Sequence, residues 1–240
     1  MSDPSLETLS SSLTDTPYSL DVDPTEEHLS GLLRRLAAFR ARREALSRYR
    51  DAGMAPLRQI HHVREVYESN AIEGLGKDLA STEGLIRQAR TRGDDFDIAR
   101  YGIARSLLED AHTYEVLGLH AARALANFIV DSPARRLMET DLRDMHALVL
   151  GDDAGAGRYK RFTNSISGAL HQPPPPTDVP EHMRQLSGWL ARRDVDAVLQ
   201  ATVAHAWLTH VHPFEDGNGR MGSPNNESDA RTGRVPPGDH

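Results

Sequence analysis

From Leu29 onward, apolar side chains return every three or four residues in one stretch after another. Leu29, Leu32, Leu33, Leu36 and Phe39 form the first set, a spacing that gathers side chains on one face of an α-helix. The same period predicts a helix opened by Pro56, with Leu57, Ile60, Val63 or Arg64, and Tyr67 along one side. It predicts a short helix from about Ser81 to Ala89, then one long helix, or two broken near Gly118, from Asp94 to Phe128. Asp131-Ser132-Pro133 reads as a cap-and-proline start for a helix carrying Leu137, Leu142, Met145, His146 and Val149. Two more follow, from about Pro180 (Met183, Leu186, Trp189, Leu190) and from about Asp194 to Val211 (Val198, Val203, Trp207, Leu208). Helices striped in this way bury their apolar faces only against one another, so the fold class is mainly α.

One region breaks the period. Glycines crowd the run Gly151 to Gly157, and Arg158 to His171 has turn residues at Asn164 and Gly168 between Tyr159, Phe162 and Ile166. This reads as a small β-hairpin or extended flap. Pro173 to Pro176 favours polyproline II geometry. Residues 1–27 are rich in Ser, Thr, Asp and Glu without Lys or Arg, a composition that buries too little apolar area to offset ordering entropy.

At 240 residues the chain suffices for one large domain or two small ones. Its net charge of -7 argues against a general nucleic-acid binder. The absence of cysteine excludes disulfides and thiolate metal sites. No run of 18 apolar residues occurs, and the expectation is a soluble cytoplasmic protein without membrane partners.

The chemistry concentrates in His212-Pro213-Phe214-Glu215-Asp216-Gly217-Asn218-Gly219-Arg220. Gly217 and Gly219 let backbone N–H groups turn toward an anion, and a helix beginning there would add its free N–H groups. Arg220 offers a planar donor fork suited to phosphate. Asp216 is a hard oxygen ligand, and Mg²⁺ on phosphates needs only one or two carboxylates. His212, with an ordinary pKa of about 6.5, suits a general base near neutral pH. His146 reads as a packed core histidine, and Gly-Asn-Gly alone is a common turn; the specificity lies in the whole run.

That run resembles the Fic family signature, H-x-F-x-[D/E]-G-N-G-R-x-x-R, at His212, Phe214, Asp216, Gly217, Asn218, Gly219 and Arg220. Gly157-Arg158-Tyr159-Lys160 resembles the start of the family's flap hairpin. The proline run and the Trp189 helix resemble its continuation. Ser69-Asn70-Ala71-Ile72-Glu73-Gly74 resembles the inhibitory motif [S/T]-x-x-x-E-[G/N]. The resemblance spans roughly residues 55–222. It implies a Fic-type helical bundle with a small β-hairpin flap, and Mg²⁺-dependent transfer of AMP from ATP to a Ser, Thr or Tyr hydroxyl of a target protein. His212 is then the base, Asp216 the metal ligand, Gly217, Asn218, Gly219 and Arg220 the nucleotide-binding residues, and Ser69, Glu73 and Gly74 the inhibitory ones. The implied division is a disordered leader over 1–27, a helical N-terminal region over 28–130 with the motif at 69–74, a core over 131–222 with its flap at about 157–171, and a polar tail over 223–240. Homo-oligomerisation stays open.

The chain departs from the signature at its second arginine, where Ser223 stands. Pro224 disfavours helix at Ser223, and only Ala230 and Val235 are apolar after it apart from prolines. The expectation is an autoinhibited transferase impaired by that loss. The alternatives are a catalytically inactive Fic-fold remnant or regulatory binding protein, a toxin-like kinase, disfavoured by Gly217-Asn218-Gly219, and, more distantly, a zinc hydrolase built on His205, His210 and His212.

Overall fold

In the computed structural model of the chain, burial follows the helical period. The described residues are 25–47, 54–91, 110–132, 136–166, 169–192 and 194–222. Residues 1–24 of the expected leader, the tail with Ser223, and much of the Asp94–Phe128 segment lie outside them, and Glu26 and Glu27, assigned to the leader, begin the first helix. Among the described residues run eight helices: α1 (Glu26–Ser47), α2 (Met54–Ile72), α3 (Leu79–Thr91), α4 (Ala111–Asp131), α5 (Glu139–Leu150), α6 (Val179–Leu190), α7 (Ala197–Val211) and α8 (Asn218–Gly222).

The centre of the bundle is α4. Tyr114, Val116, Leu119, Ala121, Ala122 and Ile129 are all buried, and they point in more than one direction around the axis. A helix apolar on several sides must be enclosed by others. Accordingly α4 packs against α2, α3 and, most extensively, α5. Gly118 does not break it. A Cβ at that position would run into the Leu148 carbonyl of α5, so the glycine serves close helix–helix approach.

The second half of the bundle follows the predicted stripes. Val179, Met183, Leu186 and Trp189 recur along α6, and Leu199, Ala204, Trp207 and Val211 along α7, all buried in the same core as α4 and α5. Each such large apolar side chain contributes roughly 1.5–3 kcal/mol on burial. Asp196 caps α7 by accepting from the N–H groups of Val198 and Leu199. Its Oδ2 also accepts from Arg40 Nη2 at 2.6 Å, which ties α1 to the start of α7. Although burial pushes the Asp196 carboxyl up, these donors hold it below its ordinary value.

Two expectations change. Leu57 and Ile60 are exposed, and the buried face of α2 is His62, Val63, Val66, Ser69 and Asn70. The face is rotated because polar side chains there find partners within the bundle, which apolar periodicity cannot register. The β-hairpin flap is absent: no strand occurs among the described residues. The segment after Gly157 sends its N–H groups elsewhere. Lys160 N–H goes to the Pro213 carbonyl, Arg161 N–H to Glu215 and Ala169 N–H to the Ile166 carbonyl. An extended segment bound to a loop builds no ladder.

Candidate active site

The site is built where α7 stops. Pro213 cannot continue the helix, and it disfavours helical geometry at the residue before it. His212 therefore caps α7 in the left-handed region, at φ 47° and ψ 61°, with its N–H on the Leu208 carbonyl. It is the one non-glycine residue with positive φ among those described. Such a conformation costs on the order of 1–3 kcal/mol and persists only where surrounding contacts enforce it.

Those contacts come from three directions. Asn218 Oδ1 accepts from Phe214 N–H at 3.0 Å, and its Nδ2 donates to the Phe214 carbonyl at 2.8 Å. Asn164 Nδ2 donates to the carbonyls of His212 and Phe214. Phe214 is fully buried and stacks on His146, with ring centroids 3.6 Å apart and planes 6° from parallel. Gly157 N–H donates to His146 Nδ1, so the ring proton resides on Nε2 and goes to the Asp216 carbonyl at 2.9 Å. Burial, foremost, holds the His146 pKa below its ordinary value, in keeping with this neutral tautomer.

The loop fronts a cleft of about 590 Å³. His205, Thr209 and His212 line it from α7, Glu215 to Gly219 from the loop, and Ile72 and Glu73 from the end of α2. His212 is half-buried, and its Nδ1 makes no hydrogen bond of good geometry. Its pKa is lowered, first by burial and then by the charge of Lys160, against a weaker upward pull from the Thr209 carbonyl. The imidazole is thus a free base at neutral pH. The Asp216 side chain is exposed, with Oδ1 taking the Gly217 N–H at 2.6 Å and Oδ2 lying 3.4 Å from Arg220 Nη2.

Glu73 enters from a helix end of defined geometry. Leu75 N–H bonds the Asn70 carbonyl and Gly74 N–H the Ala71 carbonyl, with Gly74 at φ 70°. That paired pattern around a left-handed glycine is a Schellman turn. It directs the Glu73 side chain at the Gly217–Gly219 loop so closely that any Cβ at Gly219 would overlap its carboxylate. The turn is held from α4. Glu115 Oε2 accepts from Gly76 N–H at 2.8 Å, Asn70 Nδ2 donates to the Glu115 carbonyl, and Lys77 pairs with Asp110.

Of the residues singled out in the sequence, the structure brings His212, Asp216, Gly217, Asn218, Gly219 and Glu73 to one cleft. It does not bring Arg220. The Arg220 side chain is buried and lines an adjoining apolar cavity of about 230 Å³ with Leu119, Leu142 and Leu208. Ser69 is buried, and Gly74 forms the turn rather than a wall. The sequence placed Lys160 and Asn164 only in the flap, gave Thr209 no role and offered His205 only as a zinc ligand. His205, Thr209 and His212 are spaced four and three apart, so a shared helical face was available as a signal.

Residues 136–223 match the Fic/DOC family. That segment is a Fic/DOC domain. The chain is 31% identical over 201 residues to a protein adenylyltransferase Fic of Culex quinquefasciatus, covering 81% of this chain and 37% of that protein. With a protein adenylyltransferase Fic of Nematostella vectensis it shares 31% identity, over 70% of this chain and 38% of that one. The chain therefore spans little more than a third of the length of these curated relatives. In fold it is similar to a Fic-domain-containing signalling protein of Bacteroides thetaiotaomicron, with TM-score 0.62 and 20% identity over 78% of this chain and 69% of that one. It also resembles C. elegans Fic-1, with TM-score 0.55 and 25% identity over 83% of this chain and 61% of that one.

Proposed function

We propose that this chain is a protein adenylyltransferase: it transfers AMP from ATP, with Mg²⁺, to a Ser, Thr or Tyr hydroxyl of a target protein, and is held back by Glu73. The observation that carries this reading is the convergence of His212, Asp216 and the Gly217–Gly219 loop on one cleft, with the Glu73 carboxylate against Gly219.

His212 takes the proton of the attacking hydroxyl, whose oxygen bonds to the α-phosphorus as the bond to the β-phosphate breaks and pyrophosphate leaves. The backbone of Gly217 to Gly219 faces the phosphates and stabilises charge on them. Among the described residues no group of three or more candidate ligands stands ready for a metal ion. The donor set fits an ion that arrives with its nucleotide: Asp216 is an exposed hard carboxylate in the cleft, and phosphate and water supply the other oxygens. When bound there, Mg²⁺ neutralises and orients the phosphate oxygens. Glu73 sets a negative charge and steric bulk where phosphates must lie.

The alternative of an inactive or weakened Fic fold draws on Arg220, which is buried, pairs with Asp216 and does not line the cleft, and on Ser223 at the signature's second arginine. Loss of one charged phosphate contact removes about 1.5–3 kcal/mol, a ten- to hundredfold weakening. Incubation with labelled ATP and Mg²⁺, with the chain and candidate target proteins present, decides between the two. Label transfer that His212→Ala abolishes supports the enzyme. ATP binding without any transfer, in the wild type and in Glu73→Ala, leaves the regulatory binder.

A further inference from the structure

Four consecutive main-chain carbonyls, Val211 to Phe214, carry the change from helix to catalytic loop, and two residues capture all of them. Lys160 Nζ donates to Val211 at 3.1 Å, Asn164 Nδ2 to His212 at 3.1 Å and to Phe214 at 2.9 Å, and Lys160 N–H to Pro213 at 2.8 Å. Lys160 Nζ also donates to Asn164 Oδ1 at 2.8 Å, which couples the pair. Carbonyls at a helix end have no intrahelical donors and must be satisfied by something.

Lys160 is an unusual choice for this place. It is one of two lysines in a chain whose basic residues are otherwise arginine. It is 3% exposed, and no carboxylate lies within ion-pair distance of it among the described residues. A buried cation without a counter-charge is costly, so the fold tolerates it only where the charge or its donors are used.

We propose that Lys160 and Asn164 form a positioning clamp that holds His212 in its left-handed conformation and sets the charge environment of its imidazole. The proposal rests on His212 being the base of AMP transfer. The charged and titratable groups around the imidazole are Glu73 beyond α2, His205 on α7, Glu215 and Asp216 in the loop, and Lys160 beneath it. Lys160 is buried and does not line the cleft, so water screens its charge little. A cation there disfavours imidazolium and keeps the ring unprotonated, free to accept a proton. Burial in turn lowers Lys160 to about 8, so the ammonium persists at neutral pH and fades above it.

Lys160→Met, Lys160→Arg and Asn164→Ala in the full chain test this, with folding checked by circular dichroism. The His212 imidazole, assigned in proton NMR by its loss in His212→Ala, is titrated in each. The expected result is an upward move of the His212 pKa by several tenths or more in Lys160→Met and its retention in Lys160→Arg. In the transfer assay kcat falls tenfold or more in Lys160→Met and Asn164→Ala, while KM for ATP stays within threefold. An unmoved His212 pKa in a folded Lys160→Met protein overturns the electrostatic half. An unchanged kcat in Asn164→Ala, or a loss confined to KM, overturns the positioning half. If no variant nor the wild type transfers AMP, the transferase reading fails, and the clamp is still decided by the NMR titration and by the left-handed His212 backbone, read from its chemical shifts in Asn164→Ala.

Discussion

Glu73 and Gly219 are 146 positions apart in sequence and share one space. A carboxylate in that space repels phosphate and occludes it. Glu73 is exposed at the end of α2, so its removal leaves the core intact. Glu73→Ala is expected to tighten ATP binding at least tenfold by calorimetry; unchanged affinity would remove Glu73 as the block. Gly219→Ala cannot coexist with Glu73 in its present place, and the double variant Glu73→Ala/Gly219→Ala is expected to bind ATP better than Gly219→Ala alone. At this scale the sequence showed the residues that sit together in the chain, His212 to Gly219, because local spacing alone puts them in one loop. It did not show what holds that loop. His146, Lys160 and Asn164 act over separations of 48 to 70 residues, and an isolated buried polar side chain leaves no periodic trace. The direction of Arg220 was also hidden, since the motif gives its type but not the side of α8 that faces the protein.

The end of α2 is held from α4. Glu115 is 2% exposed and accepts from both Gly76 N–H and His112 Nδ1. Replacing one partner leaves a buried donor unsatisfied, at about 1–3 kcal/mol. Glu115→Ala is expected to destabilise the fold by that amount and to loosen the turn that aims Glu73. Its ATP affinity should therefore move toward that of Glu73→Ala, measured below the temperature where unfolding begins. Lowered stability with unchanged affinity would show that the turn keeps its aim without Glu115. The stop at Gly151 and the proline-opened α6 were legible, whereas Asp131-Ser132 closes α4 and α5 begins only at Glu139. The absence of the hairpin was not legible. The turn residues after Gly157 are real, but the hydrogen bonds of the segment go to the loop after α7, and sequence alone gives no acceptor at that distance.

The whole molecule carries a dependence on pH. His120 is buried in α4, with Nδ1 2.7 Å from His62 Nε2, and burial, with a smaller effect of the Arg90 charge, lowers its pKa to about 4. An unfolded histidine titrates near 6.5. Between those values the unfolded chain binds a proton that the native chain refuses, so stability falls as pH drops from about 6.5 to about 4, by on the order of 3 kcal/mol if fully expressed. His146, His210 and His212 are shifted in the same direction and add to the slope. Urea midpoints across this range should decline with acid, less steeply in His120→Gln; an equal slope in that variant would assign the effect elsewhere. A mainly helical bundle was readable from the stripes alone. That α4 would be its centre was not, because small residues such as Ala121 and Ala122 give a helix no marked apolar side, and only the neighbours reveal that it is enclosed.

The Glu73 turn has one consequence for how the proposed restraint scales. Because α2 and the catalytic loop belong to one chain, the carboxylate meets Gly219 at an effective concentration fixed by geometry, not by the amount of protein. Dilution cannot relieve it, and neither can titration by a competing peptide at ordinary concentrations. On the proposed reading, relief comes from whatever moves the turn between Asn70 and Gly76.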